Sequence, residues 1–161
     1  HQGRSEVGPR ALGNRSILFD PRIPNGKDIV NTVKKRESFR PFAGSVLEEH
    51  AGRWFDMIGL KSSPYMTFNL SVKETMQDYI PAITHVDGTC RIQTVNKEEN
   101  FHYYNLIKTF YINTKVPILL NTSFNLAGDP IVETVKQAMT SLEKSDLHYV
   151  YFPDVDMLVV K

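Results

Sequence analysis

The sequence predicts an α/β fold of mixed order: one domain over residues 1–161, with a twisted mixed β-sheet and helices around it. Three observations predict it. In "YMTFNLSV", residues 65–72, the apolar Met66, Phe68, Leu70 and Val72 alternate with Tyr65, Thr67, Asn69 and Ser71, the period of a strand with one buried face. "VPILL", residues 116–120, is apolar on both faces, as in a central strand covered on both sides. Residues 98–113 and 134–144 repeat their apolar positions at helical spacing. Strands and helices follow one another irregularly, which favours a mixed sheet over a strictly alternating parallel one.

From the N-terminus, Ser16–Phe19 reads as a short strand, stopped by Pro21 and the turn at Pro24-Asn25-Gly26. Residues 27–36 follow as a short helix with Ile29, Val30 and Val33 on one side. Ala43–Leu47 is the next strand, and residues 53–58 supply a helical turn or two. After the alternating segment comes "TCRIQTV", Thr89–Val95, a strand that sets Arg91 and Gln93 on the face opposite Cys90 and Ile92. The helix over 98–113 carries an apolar stripe of Phe101, Tyr104, Ile107 and Phe110 or Tyr111. In the helix over 134–144, Thr134 and Gln137 make a capping-box pattern. "HYVYF" and "MLVV" are the last strands.

Bulk properties narrow the function classes. Hydrophobic content of 41% and charged content of 23% are those of a folded globular chain, which excludes a disordered one. A net charge of +1 gives no general argument for nucleic acid. The charge is uneven, however: residues 1–40 hold nine Lys/Arg against four Asp/Glu, and the remainder ten against fourteen. A local positive field of this kind suits a small polyanion. The single cysteine, Cys90, excludes an intrachain disulfide and a cysteine-rich zinc site, and the histidines show no metal-ligand spacing. No apolar run approaches the roughly 18 residues of a membrane span, and no signal peptide is visible, so a cytoplasmic location is expected. A polar opening without methionine suggests a fragment of something longer.

Four stretches carry candidate chemistry. In "GRSEVGPRALGNRS" three arginines (Arg4, Arg10, Arg15) sit among Gly3, Gly8 and Gly13. It is neither a Walker loop nor a dinucleotide fingerprint. It reads as a solvated arm, or as backbone that approaches an anion at the glycines while Arg10 and Arg15 supply fixed charge. In "KKRESFRPF", Lys34, Lys35 and Arg36 at a helix end are explained by a solvated face, whereas Arg40, between Phe39 and Pro41-Phe42, suits a planar fork held for bidentate anion contact. Arg91, inside a strand, is a surface or ion-paired residue, or a ligand to an anion. In "ILLNTSFNLAGDP" a buried strand runs into Asn121 and Ser123, which either orient a ligand or turn the chain through local hydrogen bonds.

Together "GRSEVGPRALGNRSILFDPR", "KKRESFRPFAGSVL", "VDGTCRIQTV" and "VPILLNTSFNLAGDPIV", in this order, resemble the C-terminal domain of the O-carbamoyltransferases, the nodulation-factor and antibiotic carbamoyltransferases of the NodU/CmcH type. The resemblance implies a YrdC-like fold that binds carbamoyl phosphate and ATP, with Mg2+ accompanying the nucleotide, and forms a carbamoyl-adenylate. It also implies an N-terminal Kae1-like domain, holding a metal, that passes the carbamoyl group to an acceptor hydroxyl. By motif position, Arg10, Arg40, Arg91, Asn121 and Ser123 are the implied catalytic set, and Lys34 joins Arg10, Arg40 and Ser123 in holding the nucleotide and phosphates. Two positions depart from the family pattern: Val7, commonly aromatic, and Cys90, commonly alanine. The alternative is a YrdC-like nucleotide- or RNA-binding module without turnover. Few exposed aromatics interleave the basic residues, which disfavours nucleic acid as a partner. No membrane partner is expected, and an oligomer is compatible with the sequence.

Overall fold

A computed structural model describes residues 1–161. A five-stranded sheet runs in the order β1-β5-β2-β4-β3, where β1 is Ser16–Phe19, β2 Ala43–Leu47, β3 Asn69–Ser71, β4 Thr89–Val95 and β5 Ile118–Ser123. Only β2 and β4 are parallel, and the other neighbours are antiparallel. Four helices accompany the sheet: α1 (Gly26–Val33), α2 (Ala51–Trp54), α3 (Phe101–Thr114) and α4 (Val135–Lys144). A separate antiparallel hairpin pairs β6 (Tyr149–Phe152) with β7 (Met157–Val160). The mixed α/β class predicted above is the observed one. No helix is long and apolar enough to cross a membrane.

The sheet is covered on both faces. On one, Val46, Leu70, Ile92, Ile118 and Leu120 join a core with Val30 of α1, Trp54 of α2 and Leu142 of α4. On the other, Leu47, Val95 and Leu119 pack against Tyr103, Tyr104 and Ile107 of α3. Each fully buried aliphatic side chain contributes about 1.5–3 kcal/mol relative to exposure. α3 starts where the Asn100 side chain accepts from the Tyr103 amide at 3.1 Å. Its inward stripe uses Tyr103 rather than the expected Phe101, which is exposed. α4 opens with the capping box read from its sequence.

Three elements differ from expectation. Only Asn69–Ser71 of the alternating 65–72 segment joins the sheet. Met66 adopts left-handed backbone at φ 56°, which breaks the alternation and leaves Phe68 exposed. The helical turn expected at 53–58 lies earlier, because Phe55 is extended and bridges Val72. β5 runs past Leu120 to Ser123, because β1 pairs along its whole end: Leu18 opposite Asn121, Ile17 opposite Thr122 and Ser16 opposite Ser123.

Candidate functional site

Strand direction brings the candidate residues to one end of the sheet. β5 is antiparallel to β2 and β2 is parallel to β4, so the end of β5 lies beside the starts of β2 and β4. Leu18, Asn121, Ala43, Arg91 and Asn69 form one row across all five strands. Directly paired residues share a face, so Asn121 and Arg91 stand on the α3 side. They are two strands apart, roughly 10 Å, with the small Ala43 between them.

The N-terminal loop closes over this face. Asn121 is 2% exposed, and its Nδ2 donates to the Ala11 carbonyl at 3.2 Å, to Ser45 Oγ at 3.0 Å and to Gln93 Oε1 at 3.2 Å. Ser45 Oγ in turn donates to Gln93 Oε1 at 2.7 Å, and Gln93 Nε2 to the Leu12 carbonyl at 2.8 Å. Asn121 Oδ1 and the Tyr103 hydroxyl are buried without acceptor or donor partners. Asn121 therefore anchors the loop, and it lines neither of the cationic clefts described below. This anchoring brings Arg10, the residue before Ala11, beside Arg91.

Two parts of the opening motif work internally, contrary to the expectation of an anion cradle. The amides of Leu12 and Asn14 donate to Glu6 Oε1 at 2.7 and 2.8 Å, with Arg15 at 3.4 Å, so the chain's own carboxylate fills the loop. Arg15 is 3% exposed, and its guanidinium donates to the carbonyls of Gln2, Gly3, Asn14 and Glu133. It ties the N-terminal segment down and presents no charge to solvent.

The end of α1 builds the second part of the site. Lys35 turns the chain with left-handed backbone, φ 54°. Buried Asn31 then receives Arg36 Nε on its Oδ1 at 2.6 Å, while its Nδ2 donates to the carbonyls of Ser38 and Arg40, both at 3.2 Å. The Arg36 guanidinium lies 4.4 Å from the centroid of the buried Phe42 ring. Arg40 is exposed and pairs with Glu37 at 2.9 Å, so its aromatic neighbours do not hold it as expected. Lys34 is buried. Its Nζ donates to the carbonyls of Ser123 and Asn125 at 2.6 and 2.9 Å and to Asn125 Oδ1 at 2.9 Å, and lies 3.4 Å from Ser123 Oγ. Ser123 Oγ donates to Asn125 Oδ1 at 2.6 Å.

Two open clefts result. One, of about 640 Å³, is lined by Lys34, Lys35, Arg36, Arg40, Ser123 and the 125–128 turn. The other, of about 730 Å³, is lined by Arg10, Arg91, Tyr65, Thr67, Asn69 and Val7. Of the proposed residues, Lys34, Arg40 and Ser123 thus share one cleft, Arg10 and Arg91 the other, and Asn121 lies beneath the loop. Sequence reasoning missed Arg36 and Asn125; Phe42 six residues after Arg36 is the only local signal for its stacking. Lys34, Arg10, Arg36 and Arg91 make no salt bridge. At an effective dielectric near 20, two like charges 4–8 Å apart repel by roughly 2–4 kcal/mol. Burial, then Arg10, lowers the Arg91 pKa, while Arg36 is lowered by burial and by Arg40 and Arg91, with Glu37 opposing. Such a cluster offers fixed positive charge to a bound anion. No group of three or more His, Cys, Asp or Glu side chains gathers to hold a metal ion.

Burial, then Arg36, pulls the Lys34 ammonium from 10.5 to about 7. Between those values the unfolded chain holds a proton that the folded chain lacks, so this group makes the fold more stable as pH rises from about 7 towards 10.5. A bound anion favours the charged form and reverses the shift. Binding of sulfate, which does not titrate in this range, is therefore expected to take up a fraction of a proton at pH 7.5 and to weaken as pH rises to 8.5. Calorimetry in buffers of different ionisation enthalpy measures the uptake. Equal uptake by a Lys34→Met variant would refute the assignment.

Residues 1–160 match the family described as carbamoyltransferase C-terminus. Nodulation protein NolO of Bradyrhizobium diazoefficiens is 53% identical over 148 residues, covering 91% of this chain and 27% of that protein. Nodulation protein NolNO of Sinorhizobium fredii is 52% identical over 148 residues, with 91% and 22% covered. Nodulation protein U of Sinorhizobium fredii is 41% identical over 126 residues, with 78% and 22% covered. The chain spans about a quarter of the length of these relatives.

Proposed function

The chain belongs to the carbamoyltransferase C-terminal family, and from that premise we propose that it is the activation domain of an O-carbamoyltransferase, forming carbamoyl-adenylate from carbamoyl phosphate and Mg2+-bound ATP. The observation that carries this reading is the run of cations along the two clefts at one end of the sheet, all but Arg40 without a salt-bridge partner. The reaction balances in two steps. Water cleaves the mixed anhydride of carbamoyl phosphate, releasing inorganic phosphate and carbamate. A carbamate oxygen then bonds to the α-phosphorus of ATP as the α–β phosphoanhydride bond breaks and pyrophosphate leaves.

Both reactants are anions, so the chain's contribution is to offset their repulsion, align them, and stabilise charge on the α-phosphoryl oxygens. Arg10 and Arg91 hold phosphates in one cleft. Arg40 and the Lys34-braced Ser123 turn hold the anionic group in the other. Asn121 acts as a positioning residue, since its three hydrogen bonds keep the N-terminal loop, and so Arg10, in place. On this reading a further domain transfers the carbamoyl group to an acceptor hydroxyl, and the greater length of the relatives leaves room for one.

The test is mass spectrometry of carbamoyl-AMP, with pyrophosphate and phosphate counted, on the full-length protein. One pyrophosphate and one phosphate per adenylate, dependent on carbamoyl phosphate, are expected. ATP binding without carbamoyl-dependent pyrophosphate release would reduce the chain to a nucleotide-binding module.

A further inference from the structure

We propose that in the full-length protein the residues directly preceding His1 form a strand that fills the groove between β1 and β6 and joins the five-stranded sheet to the β6–β7 hairpin. This shares with the reading above only that the full-length protein extends before His1; the chemistry can fail without it, and it without the chemistry.

Two strand edges face each other across this groove. β1 pairs on one side only, with β5, and β6 on one side only, with β7. Hydrogen-bonded pairs alternate along an antiparallel ladder. The Phe124 amide bonds to the Arg15 carbonyl, so Ile17 and Phe19 turn their backbone groups to β5, while Ser16 and Leu18 turn theirs outward. The Lys161 amide bonds to the His148 carbonyl, so Val150 and Phe152 face β7, while Tyr149 and Tyr151 face outward. Such an edge is a template for another strand. The groove between the two edges has two parts, of about 200 and 620 Å³, and Ile17, Leu18, Leu147 and Tyr149 give both of them an apolar lining.

His1 and Gln2 already lie between the edges as a strand would. The His1 nitrogen donates to the outward Tyr151 carbonyl at 3.1 Å, and the Gln2 amide to the Asn14 carbonyl, on the outward side of β1, at 3.0 Å. Successive nitrogens thus point to opposite edges, the alternation of a strand paired on both sides. Continued backwards, this register sets the residue directly before His1 opposite Ser16 and the third before it opposite Leu18, antiparallel to β1 and parallel to β6. The groove follows that path: its part beside His1 is bordered by Ser16 and Tyr151, its far part by Phe19 and Asp146. Relatives such as NolO are about four times as long as this chain, ample for such a strand. Covalent continuity favours these residues over a second copy, because one end of the strand is already in place. Gln2 leads on into the loop that carries Arg10, and its Nε2 donates to the Gly13 carbonyl at 3.0 Å. The strand therefore makes the junction before this loop a fixed part of the sheet and not a flexible linker.

Hydrogen exchange of the full-length protein, read at single amides, tests this. The outward amides of Ser16, Leu18, Tyr149 and Tyr151 are expected to be protected. Prolines at the first and third residues before His1 remove the donors that face Ser16 and Leu18. They are expected to speed exchange at Ser16 and Leu18 at least about tenfold and to leave Ile17 and Phe19, bonded to β5, within about threefold. Should that variant fail to fold by circular dichroism, a cysteine at the third residue before His1 is combined with Leu18→Cys. Oxidation is expected to link the two, whereas a cysteine one residue later, on the opposite face, should not link. Wild-type exchange at Ser16 and Leu18 as fast as at exposed amides, or absence of the cross-link, overturns the added strand. Protection that survives the prolines and disappears on dilution overturns it too, and places a second copy in the groove. Each of these results leaves the activation reading standing, and absence of carbamoyl-dependent pyrophosphate release leaves the strand standing.

Discussion

Arg91→Ala is expected to lower carbamoyl-phosphate-dependent pyrophosphate release from ATP by at least ~100-fold, the scale of losing one fixed charge that stabilises a transition state. Stability should hardly change. The Arg91 side chain donates no hydrogen bond to the protein, its Nε is buried without an acceptor, and the largest charge acting on it is the repelling Arg10. Removing it costs packing of its stem and relieves that repulsion, so the unfolding free energy should move by less than about 1 kcal/mol. A structural arginine would show the opposite pattern, as Arg15, bonded to four carbonyls, should. Arg91→Lys should be intermediate, because it keeps the charge and loses the planar fork. Kinetics and urea unfolding on the same preparations decide the matter. Wild-type turnover by Arg91→Ala would remove Arg91 from the mechanism.

Gly13→Ala should produce the largest stability loss of any single methyl group in the N-terminal loop, about 3 kcal/mol. Two costs combine. Gly13 has φ 115°, outside the range L-residues favour. A Cβ there would overlap the ring of Tyr103, which is 2% exposed between α3 and the sheet and has little room to retreat. Gly8 supplies the control. It has φ 114° but open space around the position of a Cβ, so Gly8→Ala bears the backbone cost without the collision. Urea midpoints for the two variants separate the contributions. Equal losses would show that the Tyr103 contact contributes nothing. Because the loop carries Arg10, Gly13→Ala should also weaken anion binding.

The fold was largely legible because its signals are local. Ser16–Phe19, Ala43–Leu47 and Thr89–Val95 follow from short apolar runs between turn residues, and the capping box at Thr134 marks the start of α4. The failures occurred where pairing overrode local pattern. Residues 65–68 alternate like a strand, yet the left-handed Met66 takes them off the sheet, and the full length of β5 depended on β1 pairing with its polar end.

The candidate site was legible as a set of residue types and not as an arrangement. Arg10, Arg40 and Arg91 could be picked out because arginines among glycines, beside aromatics or inside a strand are unusual in local sequence. Nothing local distinguishes Arg15, whose four acceptors lie on three segments, from Arg10, five residues earlier and exposed. Lys34 and Arg36 looked alike at a helix end. Lys34 is committed to Ser123 and Asn125, about ninety residues away in sequence, while Arg36 is stacked on Phe42 with its terminal nitrogens free of protein partners.

The amino-acid order alone determined the element types, the uneven charge and the family, since each is written in short-range spacing. Only the folded chain decided which cations are spent as internal braces and which face a cleft. A charged side chain takes whatever acceptors the assembled backbone brings within about 3 Å of it, and those acceptors come from elsewhere in the chain.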